Sequence, residues 1–103
     1  MLDVGISYRE DIDQVIELLN QIGRELVADE PYKSAVLEPL QVLGVEQFGE
    51  SSLILRVMVK TAPLKQWEVA RELRRRIKKK FDEKGIEMSF PHRVLLWENK
   101  KKG

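Results

Sequence analysis

The sequence contains no cysteine and a single histidine, His92. Without thiols the chain can form no disulfide bond and no cysteine metal site, and one imidazole cannot build a histidine metal site by itself. The sequence also lacks a glycine-rich phosphate loop and a nucleophile paired with a base. We therefore expect no metal, no cofactor and no catalytic residues, and we predict that the chain is not an enzyme.

Long apolar runs are also missing. The longest runs, at 53–55 and 94–97, fall far short of the roughly 20 residues that a membrane-spanning helix requires. The first residues show no basic stretch followed by an apolar one, so no secretory leader is visible. We expect this stretch of chain to be soluble by itself.

The length and composition predict one domain. A chain of 103 residues with 43% hydrophobic content can bury one modest core. We place this domain at residues 1–98. Residues 99–103 are rich in lysine and are predicted to form a disordered tail.

The first half of the sequence predicts a strand, a helix and a hairpin. The first strand covers residues 4–8, and Asp11 follows it as an N-cap residue. Helix-spaced apolar residues then predict a helix over 12–27: Val15, Ile16, Leu19, Ile22 and Leu26. Two prolines mark 29–39 as a connection, after which strands at 40–45 and 53–60 flank a short turn.

The second half predicts a second helix and a last strand. The helical stripe consists of Trp67, Ala70, Leu73, Ile77 and Phe81. This helix continues to Lys84, and Gly85 is placed to adopt the left-handed conformation after it. Residues 86–91 read as a connection, and 94–97 read as the final strand.

The order β-α-β-β-α-β predicts the fold class. Right-handed crossovers place both helices on one face of a four-stranded antiparallel sheet. We therefore expect an α+β, ferredoxin-like two-layer sandwich.

Charge is distributed unevenly along the chain. Residues 1–52 contain 11 acidic and 3 basic side chains, and residues 53–103 contain 6 and 15, so the two parts carry −8 and +9. The basic run at 74–80 could attract nucleic acid, but Ile77 interrupts it as a core position and Glu72 can pair with Arg76. We expect the acidic first helix to compensate this face, and we expect no nucleic-acid partner.

Both faces of the predicted sheet carry apolar residues, although helices can cover only one. The face opposite Leu53 and Leu55 holds the candidate subunit interface, which is made of Ile54, Met58, Leu95 and Trp97. Another subunit or domain is the expected cover for such a patch.

Several short motifs appear in an order typical of one family. They are Val4-Gly5-Ile6-Ser7-Tyr8 before Asp11-Ile12-Asp13, then Glu38-Pro39, then Phe48-Gly49-Glu50-Ser51-Ser52, then Gly85-Ile86-Glu87 with Phe90-Pro91. Together they make the chain resemble the cytosolic C-terminal α/β domain of small-conductance mechanosensitive channels (the MscS type). Ser89 departs from the family pattern, which has a proline there.

The resemblance implies a function in ion transport. It implies a structural module on the cytoplasmic side of the bacterial cell membrane, where seven copies form a homoheptamer around a hollow vestibule below the pore. Attachment to the membrane would come from a transmembrane part that this sequence does not contain. The alternative is a free-standing ferredoxin-like module that binds a small ligand or a nucleic acid.

Overall fold

The computed structural model describes residues 2–91, except for the side chain of Phe48. The elements in chain order are β1 (Leu2–Ser7), α1 (Ile12–Ala28), α2 (Tyr32–Ala35), β2 (Gln41–Phe48), β3 (Ser52–Met58), α3 (Gln66–Glu83) and β4 (Met88–Ser89). The short helix α2 lies in the segment predicted to be a connection.

The four strands form one antiparallel sheet in the order β2-β3-β1-β4. Strand β1 lies between β3 and β4, with Val4 opposite Leu55 and Gly5 opposite Ser89. Strands β2 and β3 form the predicted hairpin. The predicted α+β, ferredoxin-like fold class is therefore confirmed.

Helix α1 begins where the sequence predicts. The Asp11 carboxylate accepts hydrogen bonds from the backbone N–H groups of Asp13 and Gln14, at 3.0 and 3.3 Å. These bonds satisfy two donors that the first turn leaves free. The helix then buries an apolar stripe against the sheet: Val15, Leu18, Leu19, Ile22 and Leu26.

Helix α3 supplies the other half of the helical layer. Its buried residues are Val69, Leu73, Ile77 and Phe81, and Gly85 after it adopts a φ of +73°. The prediction that Trp67 is a core residue is wrong, because its side chain is 66% exposed. Val69 takes the inward position, and two residues correspond to about 200° around a helix, which turns Trp67 away from the sheet.

A short strand, β4, lies in the segment that the sequence predicted to be a connection. Met88 and Ser89 pair with Ile6 and Gly5, so the prediction that 86–91 is only a connection is wrong. Two residues, one half-buried and one exposed, carry no alternating pattern from which a strand could be recognised. The strand predicted at 94–97 and the tail predicted at 99–103 lie outside the described residues.

The core lies between the sheet and the helices α1 and α3. Strands β1 and β3 contribute the inward-pointing Val4, Ile6, Leu55 and Val57, which are all at most 3% exposed. Because alternate residues of a strand point to opposite faces, Gly5, Ile54 and Arg56 lie on the other face of the sheet. We call this helix-free side the outer sheet face.

Candidate interaction surface

The outer sheet face carries the described part of the predicted interface. Ile54 and Met58 lie on this face of β3, while Leu95 and Trp97 lie outside the described residues. Ile54 is only 3% exposed, and its Cδ1 atom lies 3.5 Å from the point where a Cβ atom on Gly5 would stand. Ile54 therefore packs over the glycine, and it leaves little apolar surface for a partner. The assignment of these four residues to an interface stays a prediction.

A salt bridge separates Ile54 from Met58. Arg56 lies between them, and its Nε atom is 3.1 Å from Oδ1 of Asp3 on the neighbouring strand. The hydrogen bond and the charge of Asp3 raise the pKa of Arg56 above its usual value. Because this polar pair lies in the middle of the face, the outer sheet face is not the continuous apolar patch that the sequence suggested.

Glu72 on helix α3 joins two arginines. Its Oε2 atom is 2.8 Å from Nη2 of Arg75 and 2.7 Å from Nε of Arg76, which confirms the predicted pairing with Arg76. The hydrogen bonds from Arg75 lower the pKa of Glu72 most, those from Arg76 add to the effect, and burial opposes both. The resulting pKa is about 2.

The acidic and basic helices lie side by side, but they compensate each other only in part. Arg76 reaches across to Asp29, which follows α1, with an N–O distance of 2.9 Å. Within residues 2–91, Arg71, Arg74 and Lys79 form no ion pair. Among the described ion pairs, the predicted compensation thus reaches Arg76 alone, because Arg75 pairs with Glu72 of its own helix. Other cations of α3 remain available.

These available cations lie mainly on one flank of α3. Arg76 and Glu72 are on the side that faces α1, as the contact with Asp29 shows. At 100° per residue, the opposite flank carries Trp67, Arg71, Arg74 and Lys78, which we call the α3 stripe. Lys78 is paired with Asp82 at 3.0 Å. An exposed indole therefore lies beside two arginines that bind no acidic side chain of the described chain.

A groove lies beside α1, between this helix and residues 36–40. We call it the α1 groove. Its mainly apolar lining includes Gly23, Val27, Val36, Leu37, Pro39 and Leu40, and its volume is about 450 Å³. Leu37 is 62% exposed at its rim. Such a concave apolar surface with few polar groups is typical of a binding site.

A second cleft, lined by Ser7, Ser51, Ser52 and Ser89, opens at the end of β1, beside Tyr8 and Arg9. Its hydroxyl groups could bind water or a polar ligand, but no side chain there is positioned to act as a nucleophile with a base.

Among residues 2–91, no group of three acidic, histidine or cysteine side chains is placed to hold a metal ion. Nor does any helix of this part have the length and hydropathy needed to cross a membrane.

The family model described as "Mechanosensitive ion channel MscS, C-terminal" matches residues 1–88. The chain is 32% identical over 101 residues to a "Small-conductance mechanosensitive channel" of Caldanaerobacter subterraneus subsp. tengcongensis, covering 98% of this chain and 35% of that protein. An "Uncharacterized MscS family protein" of Archaeoglobus fulgidus is 34% identical over 97 residues, with 93% and 32% covered.

A more distant relative is the "Moderate conductance mechanosensitive channel YbiO" of Escherichia coli. It is 30% identical over 81 residues, which are 79% of this chain and 11% of that protein. The chain thus spans about a third of the length of the first two relatives and a smaller part of the third.

Proposed function

Because this chain belongs to the MscS family of mechanosensitive channels and matches its C-terminal domain, we propose that it is a wall module of a channel's cytosolic vestibule. The observation that carries the proposal is the family match over residues 1–88, which extends from β1 to the first residue of β4. In this role the domain is structural, and it is not an enzyme.

The proposed module works by association with copies of itself. Seven copies would form a ring on the cytoplasmic side of the membrane, and solutes would pass this ring on their way to the pore. The remaining part of the subunit would supply the membrane-spanning segments. The described residues support such a role because they form a buried core while apolar and charged side chains remain exposed on the flanks.

A nucleic-acid-binding module is the competing function, and the α3 stripe is the observation that favours it. An RNA-binding sheet of this topology needs aromatic residues on its open face, especially on the third strand. Strand β3 instead presents Ile54, Arg56 and Met58 on that face. We therefore expect weak RNA binding that disappears as salt rises. Sub-micromolar, sequence-selective binding in a salt titration with single-stranded RNA would favour the competing function.

The direct functional experiment is electrical recording. The whole polypeptide that carries this domain is reconstituted in liposomes, and membrane patches are placed under suction. We expect currents that open with tension. A correctly folded, membrane-inserted protein that shows no tension-activated current would contradict the channel assignment.

A further inference from the structure

We propose that the α3 stripe of one copy docks onto the α1 groove of a second copy, with Trp67 inserted into the groove. This inference rests on the proposed function, because it identifies the surfaces through which neighbouring domains of the vestibule meet. The occupant of the groove is therefore another copy of this chain.

The first argument is that each surface has the shape that the other needs. Trp67 is 66% exposed on a helix, although a large aromatic side chain is normally better buried. The α1 groove is an apolar cavity with a volume of about 450 Å³, large enough to accept an indole. Tryptophan in a desolvated pocket is the most typical anchor of a protein interface.

The second argument is charge complementarity. Arg71 and Arg74 lie four and seven residues from Trp67, or about 6 and 10 Å along the helix axis. On α1, Glu17 and Asp13 lie six and ten residues before the groove residue Gly23, or about 9 and 15 Å from it along the helix axis. Both helices therefore carry charged side chains within about three turns of the apolar contact. These side chains are basic on α3 and acidic on α1.

The paired charges around the groove cancel, and one further carboxylate on α1 leaves a small negative excess. Arg24 lines the groove and lies 3.5 Å from Glu17, while Glu38 lies 3.7 Å from Lys60. These four side chains balance one another and are all well exposed to solvent. Asp13 is exposed on the same helix and adds a net negative charge. The expected contribution of these rim charges is mainly orientation and rate of association.

The third argument is the position of the two surfaces on the molecule. The α1 groove lies beside the segment that leads into β2, which is one edge of the sheet. The α3 stripe lies on the flank of α3 that points away from α1. Because the two surfaces differ and lie on opposite flanks, their contact is heterologous, and a heterologous contact can close into a ring.

The test uses crosslinking in the whole polypeptide. The present chain has no cysteine, and any cysteine elsewhere is first replaced by serine. One variant combines Trp67→Cys with Leu37→Cys, and a short bismaleimide is added to the assembled protein. We expect a ladder of crosslinked subunits from the double variant and none from either single variant, because a heterologous contact places each position opposite the other.

The matched control replaces Trp67→Cys with Lys79→Cys, which lies on the same helix but beside α1. This pair should give no ladder. Arg71→Glu with Arg74→Glu should lower the crosslinked fraction about tenfold, and adding Asp13→Lys with Glu17→Lys should restore it. If the combined charge swap restores crosslinking, this result supports the contact even when the two arginine substitutions by themselves impair folding.

The outcomes separate the inference from the proposed function. If the whole polypeptide is an oligomer but the Trp67→Cys and Leu37→Cys pair gives no ladder, the inference is wrong while the vestibule stands. If the polypeptide is monomeric in its native membrane, both are wrong. If the α3 stripe binds phosphatidylglycerol vesicles or RNA in the assembled protein and no ladder forms, its partner is a membrane or a nucleic acid, and the inference is overturned.

Discussion

At the scale of single residues, the pKa of Glu72 lies well below its usual range. Its carboxylate receives hydrogen bonds from two arginines, and its side chain is only 14% exposed. The charged form is therefore favoured in the folded state. The same cluster ties α3 to α1, because Arg76 also contacts Asp29.

This arrangement predicts acid-sensitive stability. The pKa of Glu72 falls from 4.5 to about 2 on folding, so its stabilising contribution is complete above about pH 5 and is lost as the pH falls towards 2. Because water reaches the cluster, we expect a contribution of about 1 to 2 kcal/mol. Urea unfolding at several pH values should show that Glu72→Gln removes this part of the pH dependence, whereas Lys79→Ala keeps it. An unchanged pH profile in Glu72→Gln would refute the assignment.

The close packing of Gly23 leads to a second prediction at the residue scale, which concerns stability. Alanine normally stabilises a helix relative to glycine by about 1 kcal/mol, but a Cβ atom here would lie 2.7 Å from Cβ of Leu40. We expect Gly23→Ala to destabilise the domain by about 1 to 3 kcal/mol, because α1 must move away from the segment before β2. Gly44→Ala, with nothing within 4 Å of its Cβ position, should cost less than about 0.5 kcal/mol. Thermal or urea melts of both variants measure these changes. A Gly23→Ala variant that is more stable than the original protein would contradict the close packing of Gly23 against Leu40.

Some residues could be placed from the sequence, and others could not. Asp11 was correctly predicted as the N-cap because the cap chemistry is local. Trp67 was misplaced because apolar character at helical spacing does not distinguish a core position from an exposed one. Ile54 lies on the outer sheet face, and its burial there depends on the absence of a side chain at Gly5 on another strand. Contacts of that kind cannot be seen in a periodic pattern.

At the scale of elements, helix α3 has a buried apolar side and an exposed basic side. Its inward side carries Leu73 and Ile77, which are at most 2% exposed, and its outward side carries the arginines and lysines. The boundaries of long helices followed from their apolar spacing and caps. The short elements α2 and β4 did not, because four and two residues are too few to show a period.

The inward side of α3 predicts a clear difference in stability. Leu73→Ala or Ile77→Ala should lower the free energy of unfolding by about 2 to 5 kcal/mol, since each leaves a cavity in the single core. Lys79→Ala is the matched surface control and should change it by less than about 0.5 kcal/mol. Denaturant melts measure all three. A larger loss for Lys79→Ala than for Ile77→Ala would mean that the helix is rotated relative to this description.

At the scale of the whole molecule, the contact surfaces proposed within residues 2–91 are small. Stable interfaces usually bury about 1,200 Å² or more in total, and one inserted indole with a few rim charges falls short of that. Attachment to subunits that already form a ring would raise the effective concentration and populate such weak contacts. We therefore expect residues 1–103 alone to be a monomer or a weak oligomer in sedimentation at micromolar concentration. A tight ring from this domain alone would show that tethering is unnecessary.

The most direct test of the central claim is single-particle electron microscopy of the whole polypeptide in a lipid environment. The account predicts a particle in which seven copies of this domain form a closed ring around a hollow space on one side of a membrane pore. A membrane particle whose copies of this domain enclose no chamber, or a protein that forms no pore at all, would contradict it.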